Sequence, residues 1–180
     1  MYFNTLFRTK DYLSLVKKTL TILRYIAIFG QFLAIGIVYY YLDLPFPILE
    51  CYLIISIGLI TNLYLQFGIK INQLKDIYAA PFLLFDLIQL SALLYLTGGI
   101  FNPFSFLLII PAIVSSTFLS MGTTIILGVI TSILLLTISF FYLPLPGEEM
   151  NLLHFPNFYK IGIIISILIG LIFLSYFGIR

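Results

Sequence analysis

Few residues in this chain are equipped for chemistry. Among long apolar runs stand Arg24, Gln31, Asn62, Gln66, Asp86 and Gln89. An ionisable group inside a bilayer costs at least ~2.5 kcal/mol on insertion scales, so each needs a partner or a purpose. Asp86 is the only acid within such a run, expected about six residues in from its helix end and level with Arg24 and Asn62. Pairing with one of those two is the expectation. Asn62 and Gln66 are four apart, and Asp86 and Gln89 three apart, so each pair shares a helix face and the two faces are expected to meet. Bonding between helices, at ~0.6–2 kcal/mol per bond, is the plain role for these groups. A proton or ion path, or a polar seam that transmits a signal, is the functional one. Gly30 and Ala34 have the spacing that lets a neighbouring helix approach closely.

The second group is a turn, LTGGIFNPFSF, from Leu96 to Phe106. Gly98 and Gly99 suit a sharp end to one helix. Asn102 and Pro103 suit the capped start of the next. That structural reading is complete by itself. A functional reading adds a ligand: backbone N–H groups exposed by the glycines, the amide of Asn102, and flat apolar surface from Phe101, Phe104 and Phe106. A quinone headgroup asks for carbonyl partners, an aromatic wall and access from lipid. Pro111 is expected to free the carbonyl of Leu107 and kink its helix, with Ser115 helping to satisfy the backbone.

The elements that must hold these residues are apolar helices. The 180 residues are 62% hydrophobic and 9% charged. Soluble domains are about half apolar and about a quarter charged, so this is the composition of an integral membrane protein. A net charge of +2 gives no reason to expect nucleic acid. One cysteine, Cys51, and one histidine, His154, leave no disulfide within the chain and no Cys/His metal cluster. No phosphate loop or catalytic triad pattern is present, so no catalytic residue is expected.

Apolar runs of about the length a membrane-crossing helix needs lie at Leu20–Leu42, Ile48–Phe67, Ala80–Thr97, Pro103–Leu119, Thr123–Leu143 and Ile161–Gly178. The fourth is the shortest. The expected fold is all-α, a bundle of six transmembrane helices over residues 20–180. Residues 1–19 form a basic segment along the inner surface, and the first run reads as a retained anchor. Both termini are expected on the cytoplasmic side. That orientation places Arg8, Lys10, Lys17, Lys18, Arg24, Lys70, Lys75 and Arg180 inside and only Lys160 outside, as the positive-inside rule asks. Tyr39–Tyr41, Tyr95, Tyr142 and Tyr159 then gather at the outer boundary.

GGIFNPF, Gly98 to Phe104, resembles the GGxxNPF heptapeptide of the RegB/PrrB-type redox-responsive sensor histidine kinases. FDLIQLSALLYLTGG, LRYIAIFGQ and PAIVSST resemble the family's third, first and fourth helices. The resemblance implies a multi-pass sensor of the bacterial inner membrane that reads the ubiquinone pool. It assigns quinone binding to Gly98, Gly99, Asn102, Pro103 and Phe104. It also implies a homodimer, a cytoplasmic kinase domain that autophosphorylates on histidine, and a response regulator. The sequence ends at Arg180 without that kinase domain, so a fragment, an excised sensor domain or a degenerate relative is expected. Neither His154 nor Cys51 corresponds to the family's phosphoacceptor histidine or redox cysteine. A competing class is the vitamin-binding subunit of a small transporter, with Pro144–Lys160 as a lid.

Overall fold

The computed structural model describes residues 15–144 and 157–179. Arg8, Lys10, Glu148, Glu149, His154, Arg180 and most of the proposed lid lie outside the described residues. The chain forms an all-α bundle. Its helices are α1 (Lys17–Tyr40), α2 (Ile48–Leu63), α3 (Asp76–Leu96), α4 (Ile110–Phe118), α5 (Met121–Phe140) and α6 (Asn157–Ile179). A π-helical turn, Tyr64–Gly68, continues α2. Two-residue strands β1 (Leu15–Val16) and β2 (Gln73–Leu74) pair antiparallel. Five of the helical stretches are long and apolar enough to cross a membrane, the architecture of a multi-pass membrane protein.

The fourth stretch differs from its expectation. It is not a long α-helix but a 3-10 segment, Pro103–Ile109, running into the nine-residue α4. Pro111 explains the switch. It has no N–H to give the carbonyl of Leu107 the usual α-helical bond. The Ile110 N–H bonds that carbonyl instead, in the 3-10 pattern. Pro111 therefore opens the α-helical turn and does not leave Leu107 orphaned. Ser115 does not serve that backbone either: its hydroxyl lies 3.0 Å from that of Thr124 on α5.

Helix ends also extend past the oily runs. α1 starts at Lys17, so residues 17–19 belong to the helix and not to a surface segment. α3 starts at Asp76, which puts Asp86 near its middle and not six residues in. Charged side chains reach back to water from such ends while their stems stay in apolar surroundings.

Consecutive helices run antiparallel. At one end Lys17 Nζ donates to the carbonyls of Gln66 (3.1 Å) and Ile69 (2.7 Å), capping the end of the π-helical turn with a cation. At that same end the carboxylate of Asp76 accepts from the Ser120 N–H at 3.1 Å and from the hydroxyls of Ser120 and Thr123, tying the start of α3 to the α4–α5 turn. At the other end the Leu143 N–H donates to the Tyr95 carbonyl at 2.7 Å. Lys160 sits there over the rings of Phe140 and Tyr142, at 5.1 and 5.8 Å. α3 is the most buried of the long helices and packs on α2, α4 and α5.

Candidate functional site

The turn after α3 is a folded knot. Gly98 has φ +99°, the left-handed conformation that ends α3. Gly99 has φ +58°, and a Cβ there would stand 2.6 Å from the Ile138 carbonyl and the Tyr142 side chain. Both glycines are buried. They let the turn press onto the end of α5 and do not form an exposed row of donors.

Asn102 is the N-cap of the 3-10 segment, with Pro103 in its first turn. The Asn102 Oδ1 accepts from the Phe104 N–H at 2.9 Å. Its Nδ2 donates to the Thr97 carbonyl at 3.0 Å and the Thr97 hydroxyl at 2.7 Å. Both amide hydrogens are thus occupied within the turn. Phe101 turns inward against Tyr142, with centroids 5.9 Å apart. Phe104 and Phe106 stay exposed.

Below this turn a cleft of about 440 Å³ runs between α1, α3 and the fourth stretch. Asn102 and Phe104 line its upper end, Gln31 and Gln89 its middle, and Arg24 and Asp86 its lower end. The turn and the intramembrane polar residues, two separate groups in the sequence, share one cavity. Gly30 and Ala34 also line it, and a Cβ on Gly30 would meet nothing within 4 Å. Their small size widens the cleft. It does not seat a neighbouring helix, as the spacing led us to expect.

At the lower end Arg24 Nε donates to Asp86 Oδ1 at 2.9 Å. Its Nη2 donates to the Thr61 hydroxyl at 2.9 Å. The guanidinium lies over the rings of Phe82 and Phe85, at 5.3 and 5.7 Å. Arg24 is only 3% exposed, and its Nη1 has no hydrogen-bond partner among the described residues. It is a bundle residue, one of the two partners that the sequence offered for Asp86.

Asn62 does not reach Asp86. Its Nδ2 donates to the Thr21 carbonyl of α1 at 3.2 Å. Gln66 accepts from the Tyr25 hydroxyl, also of α1, at 2.5 Å. Gln89 donates to Gln31 Oε1 at 3.0 Å. The polar faces of α2 and α3 therefore meet on α1 and not on each other. The contact between α2 and α3 is steric: a Cβ on Gly58 would collide with the amide of Gln89. Thr61 and Asp76 escaped the sequence reading. Hydroxyl residues inside helices usually satisfy themselves on their own backbone, so Thr61 carries no signal of a partner. Among the described residues no group of three or more His, Cys, Asp or Glu side chains is placed to hold a metal.

The chain is 37% identical over 164 residues to the sensor histidine kinase RegB of Cereibacter sphaeroides. The match covers 91% of this chain and 36% of that protein, in its N-terminal part. The chain thus spans about a third of the length of the relative it matches. No family profile and no solved structure matches it.

Proposed function

We propose, from the kinship of this chain with the N-terminal part of a RegB sensor histidine kinase, that it is the membrane sensor region of such a kinase. In this reading it sits in a bacterial inner membrane with six crossings and both ends cytoplasmic. The fourth stretch is short in residues but long in space. Seven 3-10 residues and nine α residues reach roughly 27 Å, close to the ~30 Å of a hydrocarbon core.

The ligand is ubiquinone, in the cleft beneath the Gly98–Phe104 turn. The observation that carries this is the cleft itself. Its volume of about 440 Å³ falls in the range of small-molecule sites, ~300–1,000 Å³, and apolar walls with few polar groups are what such sites present. It lies between helices, where a lipid-soluble ligand can enter sideways. Oxidised and reduced headgroups differ in acceptors and donors. Only a difference in affinity between two states of the bundle turns that into a signal. The signal passes to a kinase domain and response regulator, with a homodimer as the working unit.

The test is saturable binding of a short-tailed ubiquinone to the chain in nanodiscs, wild type against Gly30→Leu. The substituted side chain fills the cleft without meeting a neighbour at its Cβ, so binding is lost while the thermal melt is kept. A folded wild type that shows no saturable binding sinks the proposal.

A further inference from the structure

We infer that the end of the bundle where α1 and α3 begin holds the phosphate of an anionic phospholipid, on Lys18, Lys70 and Lys75. This goes beyond the quinone reading and does not rest on it; it needs only a chain seated in a bilayer.

Four lysines stand at this end among the described residues: Lys17, Lys18, Lys70 and Lys75. Their duties differ. Lys17 is spent within the fold, with its Nζ on the carbonyls of Gln66 and Ile69. The other three are exposed, and none of them forms an ion pair among the described residues. Asp76, the acid at this end, directs its carboxylate to the Ser120 N–H and to the hydroxyls of Ser120 and Thr123. A surplus of positive charge remains.

The three free lysines are also held together. Leu15 pairs with Leu74 and Val16 with Gln73, and the Lys17 N–H donates to the Asn72 carbonyl at 2.9 Å. The start of α1 is thereby laced to the loop before α3. Lys18 follows the residue bonded to Asn72. Lys70 follows Ile69, whose carbonyl takes the Lys17 ammonium. Lys75 follows Leu74, the partner of Leu15. Their backbones are ordered before any ligand arrives, which lowers the cost of binding. Exposed apolar side chains flank them in the chain: Val16, Phe67, Ile71 and Ile77. Cations beside apolar surface match a lipid at the level of its headgroup. Lysine binds phosphate as a point charge, while the glycerol and acyl chains lie over the apolar residues. A free phosphate would use only the first of these. Lysines beside an anionic membrane surface each contribute roughly fivefold in affinity.

The experiment uses the full chain in an uncharged detergent, with phosphatidylglycerol as the probe and phosphatidylcholine as its neutral counterpart. Native mass spectrometry counts retained lipid, and a thermal melt follows its effect on the fold. Wild type should retain phosphatidylglycerol over phosphatidylcholine and melt higher with it. Lys18→Gln, Lys70→Gln and Lys75→Gln should each weaken retention roughly fivefold, and the triple variant should lose both the preference and the rise in the melt. A folded triple variant that binds like wild type, with retention lost instead in Arg8→Gln/Lys10→Gln, overturns the inference. Glycerol 3-phosphate that raises the melt as the lipid does, at equal concentration, also overturns it, because the ligand is then a soluble phosphate. If the triple variant fails to fold, the single variants and salt decide. Retention unchanged in all three singles, and unchanged in about 1 M salt, where the Debye length is ~3 Å, overturns the inference.

Discussion

Gly99 shows how one residue can be fixed twice. Its φ of +58° is open to few L-residues, and its missing Cβ is the space into which the end of α5 packs. Gly99→Ala is expected to destabilise the protein by ~2 kcal/mol or more, since strain and overpacking add. Gly128→Ala, whose Cβ would meet nothing, should leave the melt unchanged or raise it. Thermal unfolding in one detergent compares them directly. The Arg24–Asp86 pair makes a second case. A buried ion pair adds little net stability, but removing one partner strands the other, at ~3–5 kcal/mol. Asp86→Leu should therefore be severe and Asp86→Asn milder, because Asn still accepts from Arg24. The double change Arg24→Leu/Asp86→Leu should be more stable than Asp86→Leu alone. A double variant as unstable as the single would show that the pair does more than neutralise a buried charge. That Asp86 needs a partner was legible in the sequence. Choosing Arg24 over Asn62 was not, because depth along two helices leaves their rotation open.

Among the elements, the apolar middles of the helices were readable, as were the bounds of the second stretch, but the starts of α1 and α3 were not. Hydropathy falls at Lys17, Lys18 and Asp76, yet the backbone stays helical through them. The 3-10 stretch was hidden for another reason. Its cause, Pro111, acts nine residues after the cap that starts it, and both α and 3-10 geometry fit the same apolar letters. The capped start at Asn102–Pro103 was legible, because cap chemistry is local. Asp76 supplies the element-level prediction. It bonds across from α3 to the backbone and hydroxyl of Ser120 and to the Thr123 hydroxyl, at the first turn of α5. Asp76→Ala removes these and leaves Ser120 as cap with its bond to the Thr123 N–H. A loss of ~1–2 kcal/mol follows from one missing charged acceptor. Hydrogen exchange should rise at Ser120–Thr124 and stay unchanged at the Gly98–Phe104 turn. Equal acceleration at both ends would mean that Asp76 supports the whole bundle and not this one junction.

At the scale of the molecule, α1 is set apart. It packs closely on α2, while its links to α3 are side chains reaching across the cleft, Arg24 to Asp86 and Gln31 to Gln89. A ligand in that space competes with or reinforces those links, which makes α1 the element best placed to move. The sequence showed the polar residues and the turn but not their common cavity, since that follows from how three separated segments pack. The segregation of most lysines to one end of the bundle is the property the sequence carried most directly. The antiparallel order puts Lys17, Lys18, Lys70 and Lys75 at the end shared with Asp76. Asp43 and Glu50 fall at the opposite end, with Lys160. Lysines near helix ends stay cytoplasmic, and acids count for little. Single cysteines at Asp43 and Ser120, in a Cys51→Ala background, test this in spheroplasts with a membrane-impermeant maleimide. Asp43→Cys should label from outside and Ser120→Cys only after lysis. The reverse pattern would invert the protein and place the Gly98–Phe104 turn on the cytoplasmic side. Labelling of both sites from outside would mean that the second to fourth helical stretches do not cross as the bundle order requires.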